Sequence, residues 1–99
     1  MGRRLNFADR DFFEQRIKAL VADSSKIVWH HPHIQMRLSE RRLSLRHILE
    51  TLRKGEIMDG PTRDEWGDWR AKFHRVVAGR RVQVVVAYKG DHVVVVTAI

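Results

Sequence analysis

Ninety-nine residues, 43% of them apolar, make one small domain that should bury roughly 60–65% of its unfolded surface around a single core. No apolar run approaches the ~20 residues that span a bilayer, nothing resembles a signal peptide, Asn6 stands where a Gly2 myristoylation motif carries Ser or Thr, and the lack of cysteine excludes disulfides and thiolate-bound zinc, so a cytoplasmic protein off the membrane is expected. A net charge of +7, from 19 Lys and Arg against 12 Asp and Glu, favours an anionic partner, either nucleic acid or an acidic protein segment.

The first periodic segment is ADRDFFEQRIKALVADSS. Phe13, Ile17, Leu20 and Val21 recur at helical spacing, Asp9 or Asn6 can cap the start, and DSS ends a helix of about 12–14 residues. A short strand, Lys26 to about His30, follows. Pro32 suits the first turn of the next helix, where its missing N–H needs no partner, and Ile34 and Leu38 share one face of that helix up to Arg41. Ser44 can cap a third helix, whose Leu45, Ile48, Leu49 and Leu52 form a stripe and which Gly55 ends. Arg37, Arg41, Arg42, Arg46, Arg53 and Lys54 face only Glu40 and Glu50 across these two helices. Such a run suits phosphate, since the arginine fork matches its geometry, but it would also serve as an ordinary solvated helix face.

Beyond Gly55 the period falls to two. EIMDG reads as a strand stopped by Gly60 and Pro61, TRDEWGD as a polar loop, and Trp69–Val77, Arg81–Tyr88 and His92–Ala98 as strands joined through AG and GD. If AG is a two-residue loop, Val77 pairs with Arg80 and His74 faces Gln83. One sheet face then carries Arg70, Lys72, His74, Arg81 and Gln83, and the other Trp69, Phe73, Val82, Val84 and Val86. The apolar face takes the two central helices and the basic face stays open, as an RNA platform or as a solvated surface whose cations discourage edge pairing. The run Val93–Val96 is apolar on both sides, so the far end of the open face needs a cover, from the N-terminal helix or from a second copy in a homodimer.

WHHPHIQMR, residues 29–37, places three histidines within four positions. His30 and His33 could join His74 or Asp59 around zinc, but no acid within the motif would orient them, so no metal or other cofactor is expected. His33 reads as a structural residue bonding across the helix start, or as a group for RNA contact or proton transfer.

The combination of WHHPHIQMRLSERRLS, ILETLRKGEI and the final strands resembles domain of unknown function 4258, a family similar to the RelE/ParE/BrnT toxin superfamily. The matching residues are His33, Met36, Arg37, Glu40, Arg41, Leu43, Gly55 and Thr97, over about Lys26 to Ile99. Arg42 departs from the pattern by standing where the family has Gly, and a non-Gly residue in a left-handed cap typically costs ~1 kcal/mol, so the turn between the helices is expected to differ. The resemblance implies an α+β fold with a β-α-α-β-β-β-β core and a mainly antiparallel sheet, as a domain over residues 26–99 behind a helical extension over 1–25. It also implies a place in a type II toxin–antitoxin system or mobile element, with RNA, the ribosome or a cognate antitoxin as partner.

Two functions fit these residues. A metal-independent endoribonuclease would use His74 as acid or base and Arg70, Lys72 and Arg81 to stabilise charge on the phosphate, with Arg37, Arg41, Arg46 and Gln83 holding nucleic acid. A binding module would use the same cations on nucleic acid, gyrase or an acidic antitoxin segment, and the lack of a second proton-transfer group beside His74 favours this alternative.

Overall fold

A computed structural model describes residues 9–30 and 33–98, with only the backbone of His33. Asn6 as an alternative cap, Pro32 in the first helical turn, and the side chains of His31 and His33 therefore lie outside the described residues. Among the described residues the fold is α+β, with three α-helices and one mixed sheet of five strands.

The first helix, α1 (Arg10–Val21), starts where the sequence offers a cap: Asp9 Oδ1 accepts from the Phe12 N–H at 3.1 Å. It ends at Ala22, and a 3-10 turn over Ser24–Lys26, capped by Asp23, leads into β1 (Ile27–Trp29). Next come α2 (His33–Arg41) and α3 (Leu45–Lys54). Ser44 caps α3 in a reciprocal arrangement whose returning side chain is His47, where Glu or Gln is usual. The sheet is completed by β2 (Glu56–Arg63), β3 (Trp69–Val77), β4 (Arg80–Tyr88) and β5 (Val93–Ala98), in the spatial order β1-β5-β4-β3-β2. β1 runs parallel to β5, and the other three pairings are antiparallel.

The turn between α2 and α3 does not differ from a glycine-capped one. Arg42 adopts the left-handed conformation itself, at φ 54°, and Leu43 N–H closes the cap on Leu38 O at 2.9 Å. Arg80 helps hold it there by donating to the carbonyls of both Arg41 and Arg42. Because the arginine side chain is exposed, Arg42→Gly should remove only the backbone strain and raise stability by about 1 kcal/mol, read as a higher urea midpoint with unchanged slope. Gly55 is needed for another reason than the left-handed cap that the helix end suggests. Its φ is −81°, but an added Cβ would lie 2.4 Å from the carbonyl oxygens of Thr51 and His74, so its role is close approach of α3 to the sheet.

β2 is longer than its sequence suggests. It continues through Gly60 and Pro61 to Arg63, with register shifts between Ile57 and Asp59 and between Asp59 and Thr62 that accommodate those residues against β3. Proline is tolerated because β2 is an edge strand, where one side of the backbone makes no ladder bonds.

The core lies between one sheet face and the three helices. Phe73, Val82, Val84, Val86, Val93 and Val95 are fully buried beneath Ile34 of α2, Ile48 and Leu52 of α3, and Phe13, Ile17 and Val21 of α1. The N-terminal helix is thus on the same face as the other two, and does not cover the open side of Val93–Val96. Phe13 meets Tyr88 edge-on at 5.8 Å, and Tyr88 shares the inner face with Val82, Val84 and Val86. Length explains the correction. At 9 and 10 residues, α2 and α3 reach only about 14–15 Å, whereas the nine-residue strands β3 and β4 extend about 30 Å, leaving apolar sheet for a third helix.

A second set of α1 side chains, one turn apart, satisfies the backbone along β2. Arg10 donates to Gly60 O at 3.2 Å, Glu14 accepts from Ile57 N–H at 2.9 Å, and Lys18 donates to Gly55 O at 2.6 Å. Polar side chains thereby occupy an edge that would otherwise present free donors and acceptors.

Candidate functional site

On the open face, strand alternation lines up Arg70, Lys72 and His74 of β3, and the register sets them opposite Ala87, Val85 and Gln83 of β4. Arg81 lies opposite Val76, at the same end of the sheet as His74. On the other side of His74 stands Glu56, the first residue of β2, with its carboxylate Oε1 3.6 Å from His74 Nε2. A cleft of about 550 Å³ opens at this corner, with Lys18, Lys54, Glu56, His74 and Arg81 in its walls. Lys18 spends one N–H on Gly55 O, but no hydrogen-bond or ion-pair partner for the Lys54, Lys72 or Arg81 side chains occurs among the described residues. Unpaired cations around an imidazole–carboxylate pair can bind a phosphodiester and move a proton beside it.

The Arg70 end is built differently. Arg70 Nε donates to Asp64 Oδ2 at 2.7 Å, and its guanidinium lies 5.7 Å from the centre of the Trp66 ring. Asp64 Oδ1 accepts the N–H groups of Trp66 and Asp68, both at 2.9 Å, and Lys89 pairs with Asp68. Desolvation works to raise the Asp64 pKa, but the hydrogen bonds from Asp68, Arg70 and Trp66 outweigh it and hold the carboxyl below its ordinary 3.8. The sign follows: Asp64 contributes to the order of this loop above the ordinary carboxyl range, and that contribution is lost as pH falls through the depressed value.

The four residues assigned to catalysis, Arg70, Lys72, His74 and Arg81, therefore share one face but fall into two groups. His74 and Arg81 line the cleft, while Arg70 and Lys72 line a shallower depression with Asp59 and Thr62. Of the residues assigned to nucleic-acid contact, Gln83 is with them, directly opposite His74. Arg37, Arg41 and Arg46 belong to the helical layer on the other side of the sheet. Arg37 pairs there with Glu40 at 3.6 Å, and Arg46 lines a separate cleft with Ser44 and Glu50. None of the three lines the cleft that holds His74. Among the described residues, no group of three His, Cys, Asp or Glu is arranged to hold a metal ion.

Glu56 is the member that sequence reasoning missed. Its signal lay in the strand following Gly55, but the pairing of β2 with β3 depends on an irregular register that no turn motif specifies. Lys18 was also missed, and Lys54 was read only as part of the basic helical run, since their helices carry no motif that aims them at a sheet corner.

Residues 30–99 match the family described as Domain of unknown function (DUF4258). The chain belongs to this family. The DUF4258 segment contains α2, α3 and β2 to β5, and with them His74, Glu56, Lys72 and Arg81. Helix α1 and strand β1 precede it, so Lys18 reaches the cleft from outside the matched region. No curated protein and no solved structure matches the chain. Among the described residues, no helix is long and apolar enough to cross a membrane.

Proposed function

We propose that this DUF4258 protein is a toxin-like relative of the RelE/ParE/BrnT superfamily, with a RelE-like core extended by α1, and that its open sheet face binds and cleaves RNA without a metal ion. The observation that carries the reading is the corner of β2, β3 and β4, where His74 and Glu56 sit 3.6 Å apart beside Lys54 and Arg81, two cations with no acid partner among the described residues. In this mechanism His74 takes the proton from a ribose 2′-hydroxyl, and the 2′-oxygen attacks the adjacent phosphorus. The phosphorus–5′-oxygen bond breaks, and the departing oxygen takes a proton from water. Glu56 orients the imidazole and stabilises its protonated form, while Arg81 and Lys72 oppose the charge that grows on the phosphate oxygens.

Inducible expression with growth and mRNA-cleavage readouts tests this. Growth arrest with cleavage is expected, relieved by Lys72→Ala while thermal stability stays within ~1 kcal/mol, as for most surface changes. Full toxicity and cleavage in Lys72→Ala and His74→Ala would overturn the assignment. Binding of RNA should fall steeply with salt, with a log–log slope of roughly −2 to −5 for three to five phosphate contacts.

The second reading is a non-catalytic module for nucleic acid or an acidic partner such as an antitoxin or gyrase. The specific observation in its favour is the exposure of Glu56, whose side chain is 75% accessible and so only loosely fixes the imidazole. Salt-sensitive binding without any cleavage would select it.

A further inference from the structure

Trp66 is 71% exposed, the most of any large apolar side chain among the described residues, whereas Trp29 and Trp69 pack against the core. The exposure does not come from a loose loop. Asp64 binds the N–H groups of Trp66 and Asp68, its own N–H donates to Asp68 O at 2.8 Å, and Arg70 and Lys89 fasten the loop to β3 and β4. A rigid scaffold thus holds an indole in water at the edge of a cavity of about 580 Å³, which Ala87, Val94 and Val96 line.

We infer that this cavity is a nucleobase-binding slot, in which an unpaired base of single-stranded RNA stacks on Trp66 and Arg70. The inference rests on the RNA reading above and adds where the strand runs. The indole and the guanidinium plane each offer a flat face to any base, and the carboxylate of Asp68 and ammonium of Lys89 at the rim offer an acceptor and a donor to its edge. An aliphatic side chain of a protein partner would use the valines but neither plane. Arg70 borders both the slot and the Lys72 depression, and Arg70, Lys72 and His74 follow one another along the open face of β3, so a strand seated in the slot can run along that face toward His74. Four residue steps along the strand carry Arg70 to His74, about 13 Å, which an extended single strand covers in about two nucleotide steps. A duplex, with its bases stacked inside, cannot insert one here.

The test uses the full chain with three RNAs: an unpaired oligonucleotide, the same strand with abasic positions, and a duplex. The unpaired strand should quench indole fluorescence, and Trp66→Ala should weaken its binding about 5- to 150-fold, with Trp66→Phe keeping most of the affinity. The abasic strand should bind wild type and Trp66→Ala alike. If Trp66→Ala binds the unpaired strand as well as wild type does, with the salt dependence intact, the slot is refuted and the RNA reading stands. Equal binding and quenching by the duplex would also refute it. If wild type binds none of the three, both fall together.

Discussion

Replacing His74 by alanine should lower RNA cleavage by about 10²- to 10⁴-fold, the range for loss of a positioned general base. Arg81→Ala and Lys72→Ala should each lower it by a comparable 10²- to 10³-fold, since each removes a group opposing the developing phosphate charge. The three should separate on RNA affinity. His74→Ala removes a group needed for proton transfer and should leave binding nearly unchanged, whereas the two cation variants should also weaken binding and flatten its salt dependence by about one phosphate each. Glu56→Gln gives the sharpest test of the pair. If Glu56 acts through His74, combining Glu56→Gln with His74→Ala should cost no more than His74→Ala alone, because the effects of residues acting as a unit are not additive. Purified protein and a labelled oligonucleotide suffice. Additive losses would show that the 3.6 Å contact is incidental to activity.

Truncating Phe13 to alanine should destabilise the protein by about 3–5 kcal/mol, the usual cost of emptying a buried phenylalanine site. Phe13 has no accessible surface and sits edge-on to Tyr88, so the change removes both apolar burial and the ring contact. Against the 5–15 kcal/mol that small domains typically possess, a single substitution in α1 consumes a large part of the total. Deleting residues 2–22 goes further, exposing the inner face around Tyr88 and unpinning the β2 edge from Glu14 and Lys18. The truncated protein should aggregate or bind apolar dye. A soluble, equally stable fragment would show that α1 is dispensable, and urea titration of Phe13→Ala checks the same point without deletion.

Much of the architecture was legible because it is local. The stripe of Phe13, Ile17, Leu20 and Val21 shows one face of a helix whatever it packs on, and Ser44 marks a helix start by chemistry that needs no distant partner. The AG turn set the register of two long strands, and with it the pairing of His74 with Gln83. Ala78 and Gly79 both take positive φ there, as a tight two-residue hairpin requires. What could not be read is non-local. The stripe of α1 says that it is buried but not against which side of the sheet, and the outcome depended on the shortness of α2 and α3. Gly60 and Pro61 normally punctuate a strand, but an edge position tolerates both, so β2 ran on to Arg63. The arginines of α2 and α3 looked continuous with those of the sheet because sequence carries no sign of which layer a cation ends in.

The parallel pairing of β1 with β5 bears on how the chain folds as it is synthesised. Ile27, Val28 and Trp29 leave the ribosome more than sixty residues before Val93, Val94 and Val95, the residues they pair with in β5. Until β5 arrives, β4 presents an open flank of valines and β1 has nothing to join, so the nascent chain must keep an unfinished sheet in solution. Helix α1 waits as well, since Tyr88 and the Gly90 carbonyl that Arg16 reaches are also late. The pairing of Glu56 with His74, by contrast, needs only β2 and β3. That pair can therefore form before the sheet is complete, and β5, six residues long, is the strand whose pairing with both β4 and β1 closes it.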